Sequence, residues 1–460
     1  MAIKTIKEIA TEINSGTKTI RDVTIRAWVR TNRDSGKIGF ISAYDGSTLN
    51  GIQVVYKKES TNGFEQAKIT RTSAAIEVTG TIQTTNREDS PFEIVADNIV
   101  LLKQSCEDFP LQKKQHTMEF LRDIAHLRPR AKTMQAIMMV RNRLAYAIHR
   151  FFQEEGFIWA ATPILTSNDC EGAGENFCIQ EDPNNPFFIP QAKLTVSGQL
   201  HGESYAQAFS RIYTFGPTFR AERSHTNRHL AEFWMVEPEI AFMDVKQLMS
   251  LIEAFIRTVI KDVYENCQDS INLFAANNPE IKTRLLSVIN KEFVRVSYEE
   301  GIEILKKAVN DGYPFEDKNI FFGKDLASEH ERYICEKVYN GPVFLYNYPK
   351  EIKSFYMKQN PDGRTVAGAD LLVPGVGEIC GGSEREADFD KLMQRVKELN
   401  MDASSIQWYL DLRKYGYHSS SGFGLGFERL IMYILDLDNI RDAILFPRYE
   451  GNIKFLKTFQ

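Results

Sequence analysis

The stretch that most constrains the fold runs from Tyr213 to Phe242, YTFGPTFRAERSHTNRHLAEFWMVEPEIAF. Two apolar segments flank a polar, basic loop, the pattern of a long antiparallel hairpin. Along the second arm the side chains separate by parity. Trp234, Val236, Pro238, Ile240 and Phe242 are apolar, and Phe233, Met235, Glu237 and Glu239 alternate with them. Successive residues of a strand point to opposite faces, so one face can pack on a core while the other holds carboxylates and a ring over a cavity. The first arm ends in Arg220 and Glu222, again of common parity, and the loop adds Arg223, His225, Arg228 and His229. A cationic loop over a sheet face that displays acids suits a polyphosphate together with a small zwitterion. The competing reading is a solvated hairpin with one wet face, and the rest of the chain has to decide between them.

At 460 residues the chain is too long for one ordinary domain, and two are expected. With 43% hydrophobic and 25% charged residues its composition is that of a globular protein, and no segment has the apolar length of a membrane span. The start, MAIKTIKEIATEINSG, lacks the apolar core and small-residue cleavage site of a signal peptide and reads as a short amphipathic helix. Cysteines 106, 170, 178, 267, 335 and 380 are scattered with no CxxC pair, which fits a reducing, cytoplasmic setting and neither a disulfide framework nor a zinc site. His225 and His229 stand four apart, but in a loop and with no third soft ligand near in sequence. A formal charge of −5 gives no global attraction to nucleic acid, so any RNA contact depends on local patches.

Residues 20–103 alternate short strand-like runs, VTIRAWV, GFISAY, NGIQVVY, AAIEVTGTIQ and FEIVADNIVLL, with linkers rich in Gly, Asn, Asp and Ser. That spacing predicts a small barrel of the OB type. Arg26, Arg30, Arg33 and Lys37 crowd its first strand and turn, with Phe40 just beyond; cations beside an aromatic platform suit a single strand of nucleic acid, although a solvated face reads the same way. Residues 104–130 are polar, basic and bracketed by Pro110 and Pro129, and read as a hinge with a short helix. The expected division is thus 1–103, 104–130 and 131–460. In the last part an amphipathic helix starts near Thr133, with Ile137, Val140, Leu144, Ile148, Phe151 and Phe152 on one side, and stops at Gly156. A second runs from Asp244 to Asn266. Both stripes are core or subunit interface. Helices mixed with antiparallel strands make this part α+β, and neither GxGxxG nor GxxxxGK[ST] occurs.

Three further constellations carry chemistry. In GADLLVPGVGEICGGSER, residues 368–385, Asp370 and Glu378 flank a Pro374–Gly375 turn; hard oxygens approaching across a hairpin suit Mg²⁺ bound partly by phosphates. Arg385 follows Gly381 and Gly382, whose bare backbone admits a close ligand. In GFGLGFERL, residues 422–430, glycines open a helix with Arg429 one turn in, a place for a ligand at backbone amides and for a guanidinium over an aromatic base. Finally, TSNDCEGAGENF (166–177) is a Gly/acidic loop able to close over a substrate, and LTVSGQLHGE (194–203) sets Ser197 and Gln199 on one face of a strand.

Taken together these residues resemble the class II aminoacyl-tRNA synthetases. FRAE (219–222) with RHLAEF (228–233) is similar to their motif 2, GFGLGFERL to motif 3, and the helix ending at Gly156 with Pro163 after it to motif 1. The barrel before them points to the aspartyl, asparaginyl and lysyl subgroup. EGAGENF, VSGQL, AHLRPR, SEHERY and GEICGGSERE resemble its asparaginyl branch, and Gly202 stands where aspartyl enzymes carry a lysine against the substrate carboxylate. The resemblance covers essentially the whole chain.

It implies an OB-fold anticodon-binding barrel followed by an antiparallel-sheet catalytic domain flanked by helices. It also implies an ATP- and Mg²⁺-dependent ligase that makes asparaginyl-adenylate and loads tRNA(Asn), working as a cytoplasmic homodimer. Arg220 would bind the α-phosphate and, with Arg429, act in catalysis; Arg228 and His229 would meet the outer phosphates. Phe233 and Arg429 would sandwich adenine with Glu222 beside it, and Asp370 and Glu378 would hold the metal. Glu171, Ser197 and Gln199 would take the α-ammonium, Glu237 the side-chain amide and Arg385 the side-chain carbonyl. On the barrel, Arg33, Phe40, Gln53 and Glu93 would read the anticodon. An aspartyl enzyme of relaxed specificity, a tRNA-independent asparagine synthetase of this family and a non-catalytic RNA-binding paralogue are the alternatives.

Overall fold

The computed structural model describes residues 3–87, 90–167, 176–223 and 226–453, and the chain divides into two compact units between Ala136 and Ile137.

In the first unit helix α1 (Ile6–Asn14) is set by a capping box, the Thr5 hydroxyl accepting from the Glu8 amide while Glu8 accepts from the Thr5 amide at 2.7 Å. The five expected strands are present as β1 (Thr19–Asp34), β2 (Ile38–Tyr44), β3 (Ile52–Lys57), β4 (Ala75–Thr84) and β5 (Phe92–Lys103). They close into a barrel in the order β1-β2-β3-β5-β4. Alternation puts Ile25, Ala27, Val29, Val54, Ile76, Val78 and Ile94 inside. A short helix α2 (Phe64–Lys68), not foreseen, leads from β3 toward β4 and adds Phe64 and Ala67 to that core. Two of the four crowded cations belong to the wall. Arg26 pairs with Glu77 across β1–β4 at 2.8 Å, and Arg30 lies 4.3 Å from the centroid of the Tyr44 ring and donates to the Leu49 carbonyl. The stretch 104–130 carries α3 (Met118–Asp123) and a 3₁₀ turn at Arg128–Arg130.

Helix α4 (Lys132–Glu154) passes the division between the units. The second unit is built on an eight-stranded sheet whose members are β6 (Ile158–Trp159), β9 (Arg211–Phe219), β10 (Glu232–Ala241), β11 (Val294–Ser297), β12 (Val343–Tyr346), β13 (Gly368–Val373), β14 (Gly377–Glu384) and β15 (Ser420–Gly426). A separate ladder joins β7 (Leu165–Thr166) to β8 (Lys193–Leu194). The sheet order is β11-β12-β13-β14-β15-β10-β9-β6, antiparallel except at its two ends. Its helices are α5 (Gln199–Phe209), α6 (Val245–Asn266), α7 (Gln268–Ala275), α8 (Glu280–Asn290), α9 (Tyr298–Asn310), α10 (Ser328–Arg332), α11 (Phe389–Glu398), α12 (Gln407–Asp411) and α13 (Phe427–Leu435).

Both apolar stripes resolve as core. Phe152 of α4 stacks on Tyr213 of β9 at 4.6 Å and lies 4.9 Å from Phe255 of α6. Full burial of such a ring contributes about 1.5–3 kcal/mol. Asp262 of α6, itself buried, accepts from Arg143 and Arg150 of α4, which pins the two helices together.

Two local expectations are corrected. Phe242 leaves the apolar face of the hairpin: the strand ends at Ala241, φ turns to 61° and the ring is 70% exposed. Ser197 and Gln199 do not share a strand, because β8 ends at Leu194 and Gln199 opens helix α5.

Candidate active site

The hairpin is β9 and β10, paired from Glu232↔Phe219 to Ile240↔Arg211. Its parity holds along the strand. Val236 and Ile240 join the apolar core, and the opposite face looks across β15 and β14. On that face Glu239 lies beside Gly422 and Gly422 beside Ser383, while Met235 lies beside Gly426. The glycines of 422–426 therefore belong to a strand, and the helix α13 they were expected to open begins after Gly426. Their bareness is needed where they stand. A Cβ on Gly422 would fall 2.2 Å from the Glu239 carboxylate, and one on Gly424 would fall 3.0 Å from Met235 Cε. A lane without side chains thus crosses the middle of the sheet and forms the floor of a cavity of ≈ 410 Å³.

Every described residue that the sequence placed in the second unit's site lines this cavity: Ser197, Gln199, Arg220, Glu222, Arg228, His229, Phe233, Glu237, Asp370, Glu378, Arg385 and Arg429. Glu171 and His225 lie outside the described residues. One end is cationic. The Arg220 guanidinium sits 5.4 Å from the centroid of Phe233, so cation and aromatic platform adjoin. Glu222 is 3.9 Å from Arg220 and 3.2 Å from His229 Nε2. Arg228 donates to Ser328 Oγ of α10 at 2.9 Å. That short helix is held by His330, fully buried, whose Nδ1 accepts from the Ala327 amide and whose Nε2 donates to the Asp317 carbonyl.

The other end is a buried ionic network. Glu237 accepts from the Ser197 hydroxyl, from the Gly198 amide at 2.9 Å and from the Thr214 hydroxyl at 3.1 Å. Arg385 is clamped by Glu239 through Nε at 3.1 Å and Nη2 at 2.5 Å, and donates from Nη1 to Ser383 Oγ at 2.8 Å. Behind it Glu203 of α5 accepts from Tyr409, Arg413 and Tyr417, each at 2.8 Å. Burial opposes charge on Glu203, yet Arg413 and Arg385 outweigh it and hold the carboxyl below its usual range. Burial likewise lifts the Glu239 carboxyl against the pull of Arg385, and the two carboxylates in return keep Arg385 firmly charged. Sequence reasoning set Glu239 on the right face without a partner and passed over Glu203, Tyr409, Arg413 and Tyr417.

Between these ends Asp370 and Glu378 come together, by a route the sequence did not display. Asp370 stands opposite Gly381 on β14, and a bulge follows between Leu371↔Cys380 and Leu372↔Glu378. The extra residue switches parity and turns Glu378 to the face that holds Asp370. A Cβ on Gly381 would be 3.0 Å from Asp370 Oδ1 and 3.1 Å from Glu378 Oε1, so two carboxylate oxygens converge over one bare α-carbon. Lys353 and Glu331, not anticipated, complete this corner. Lys353 Nζ meets Asp370 Oδ2 at 2.5 Å, and Glu331 accepts from the Glu378 amide at 3.0 Å. Burial and the neighbouring Glu378 push Glu331 up to about 7, and burial with Asp370 raises Glu378.

On the barrel Arg33 faces Phe40 across β1–β2, and Gln53 faces Glu93 across β3–β5. Glu93 accepts from Gln53 at 2.9 Å and from Gln83 at 3.2 Å, and Arg87 reaches Gln53 at 3.4 Å. The four expected residues therefore stand on three adjacent strands and β5, with Gln83 and Arg87 as unforeseen companions.

A barrel of the OB type together with a glycine-floored antiparallel sheet, cationic at one end of its cavity and ionic at the other, defines a class. The profile described as tRNA synthetases class II (D, K and N) matches residues 117–450, and that of an OB-fold nucleic acid binding domain matches 23–102. The chain belongs to these class II tRNA synthetases. Within them it stands with the asparagine–tRNA ligases. The one from Malacoplasma penetrans is 53% identical over 440 residues, covering 95% of this chain and 97% of its own, and the one from Ureaplasma urealyticum is 52% identical over 434 residues, covering 94% and 96%. The crystal structure of asparaginyl-tRNA synthetase from Pyrococcus horikoshii complexed with asparaginyl-adenylate superposes with a TM-score of 0.83 at 34% identity, covering 94% of this chain and 96% of that one.

Proposed function

We propose that the chain activates L-asparagine with ATP to asparaginyl-adenylate, releasing diphosphate, and then transfers the asparaginyl group to the 3′ end of tRNA(Asn). The observation that carries this reading is the meeting, in one cavity, of a cationic end built on Arg220, Arg228 and Arg429 with an end lined by Glu237 and Arg385. Arg220 takes the α-phosphate and stabilises its charge while the asparagine carboxylate attacks in line. The nucleophile is already an anion, so positioning and electrostatics supply the rate and no general base is required. Arg228 and His229 meet the outer phosphates, Phe233 and Arg429 enclose adenine and Glu222 borders it. Ser197, Gln199 and Glu171 receive the α-ammonium, Arg385 donates to the side-chain carbonyl, and Glu237 accepts from the amide NH₂.

The convergence of Asp370 and Glu378 over Gly381 fits Mg²⁺. Among the described residues no three ligating side chains are arranged to hold an ion, which suits a cation completed by phosphate oxygens. When bound there it neutralises phosphate charge. Gly202 supports asparagine over aspartate, since no cation arises from that position to meet a substrate carboxylate.

In the barrel, taken as 1–103 with 104–130 as hinge and 131–460 as catalytic domain, Phe40 stacks an anticodon base while Arg33, Gln53 and Glu93 read edges. A cytoplasmic homodimer is part of the proposal, and exposed Ile158 and Trp159 on edge strand β6, with exposed Tyr146 of α4, favour the dimer. Exchange of labelled pyrophosphate into ATP tests activation: asparagine drives it and aspartate at equal concentration does not. Exchange driven equally by both would overturn the assignment.

A further inference from the structure

The corner that holds Asp370, Glu378 and Glu331 contains one cation, Lys353, to which no part of the adenylation scheme assigns a role. Its Nζ is 2.5 Å from Asp370 Oδ2 and 3.9 Å from the centroid of the Tyr348 ring. The other Asp370 oxygen, Oδ1, points with Glu378 Oε1 to the space above Gly381. A single carboxylate is thus shared between a lysine on one side and the proposed ion position on the other. Lys353 follows a 3₁₀ turn, Lys350–Ile352, and its side chain is partly exposed within the cavity. A lysine is suited to such a post. Its charge is compact and its stem flexible, whereas a guanidinium would lock bidentately on the carboxylate. The Tyr348 face lies against the ammonium at the same time, a contact that does not depend on Asp370.

Resting on the reading of Asp370 and Glu378 as the ion subsite, we propose that Lys353 is a resident counter-cation: it balances these carboxylates before nucleotide arrives and yields Asp370 to the divalent cation that enters with ATP. Ion entry and lysine release are then one exchange. Before the exchange Asp370 is paired with Lys353, and a free metal ion has to displace Lys353 to bind alone.

The test is Mn²⁺ binding without nucleotide, followed by the electron paramagnetic resonance signal of free Mn²⁺, in the full-length native chain and in Lys353→Met. Removal of the competitor tightens nucleotide-free Mn²⁺ binding at least tenfold, and Mg²⁺ alone raises the melting temperature of Lys353→Met but not of the native chain. If Lys353→Met does not fold in metal-free buffer, millimolar Mg²⁺ restores it; failure to restore it overturns the proposal. So does an unchanged Mn²⁺ affinity in a folded variant. Asp370→Asn separates this from the reading beneath it. If that substitution leaves Mn²⁺ binding in the presence of ATP unaltered, the ion subsite itself is misplaced. If it abolishes binding while Lys353→Met binds Mn²⁺ as the native chain does, only the exchange falls.

Discussion

Replacing Glu237 by glutamine probes substrate choice at a single atom. An ionised carboxylate offers about four acceptor sites. Oε2 of Glu237 is filled by the Gly198 amide and the Thr214 hydroxyl, and Oε1 takes the Ser197 hydroxyl. One acceptor site on Oε1 is left for a donor from the cavity. In Glu237→Gln the amide oxygen must stay with Gly198 and Thr214, so the NH₂ replaces Oε1 and turns a donor toward the substrate. The amide of asparagine then loses a hydrogen bond to a charged group, about 1.5–3 kcal/mol, or roughly 10- to 150-fold in kcat/KM at about 1.4 kcal/mol per decade. Aspartate gains on both counts, because a facing carboxylate is removed and a donor put in its place. The asparagine-to-aspartate ratio in pyrophosphate exchange therefore falls by more than about a hundredfold, the sum of the two changes. Urea unfolding shifts little, since two of the three internal bonds survive. An unchanged ratio in a normally stable variant would refute the role given to Glu237.

The other substitutions report on separate parts of the account. Glu203→Gln leaves the buried Arg413 guanidinium without its carboxylate and costs about 3–5 kcal/mol, read as a lower urea midpoint; a midpoint equal to that of the native chain would contradict the network. Gly422→Ala drives a methyl into the Glu239 carboxylate, destabilises by about 1–3 kcal/mol and raises the KM for asparagine by releasing Arg385, while the KM for ATP changes less; equal changes in both constants would count against a local effect. Phe40→Ala weakens tRNA charging and leaves pyrophosphate exchange nearly intact, and parallel losses would instead mark Phe40 as part of the barrel's fold.

The legible parts of this molecule are those in which neighbours in sequence are neighbours in space. Five alternating runs foretold the barrel, and the parity of Phe233, Met235 and Glu237 foretold the ligand face. What escaped depends on contacts between distant segments. Glu203 and Arg413 lie 210 positions apart, and nothing local marks either as buried and paired. Gly198 and Gly202 weaken the helical pattern of α5, so nothing local marks Gln199 as the start of a helix. The bulge that aims Glu378 at Asp370 leaves no trace in the run of residues around the Pro374–Gly375 turn, and Lys353 is one lysine among many until its distance to Asp370 is known.

Charging of tRNA by the native chain is the most direct test of the central claim. With tRNA(Asn) and tRNA(Asp) each offered asparagine or aspartate, only asparagine on tRNA(Asn) should accumulate as ester. Aspartate loaded on either tRNA, or asparagine activated but never transferred, would contradict it.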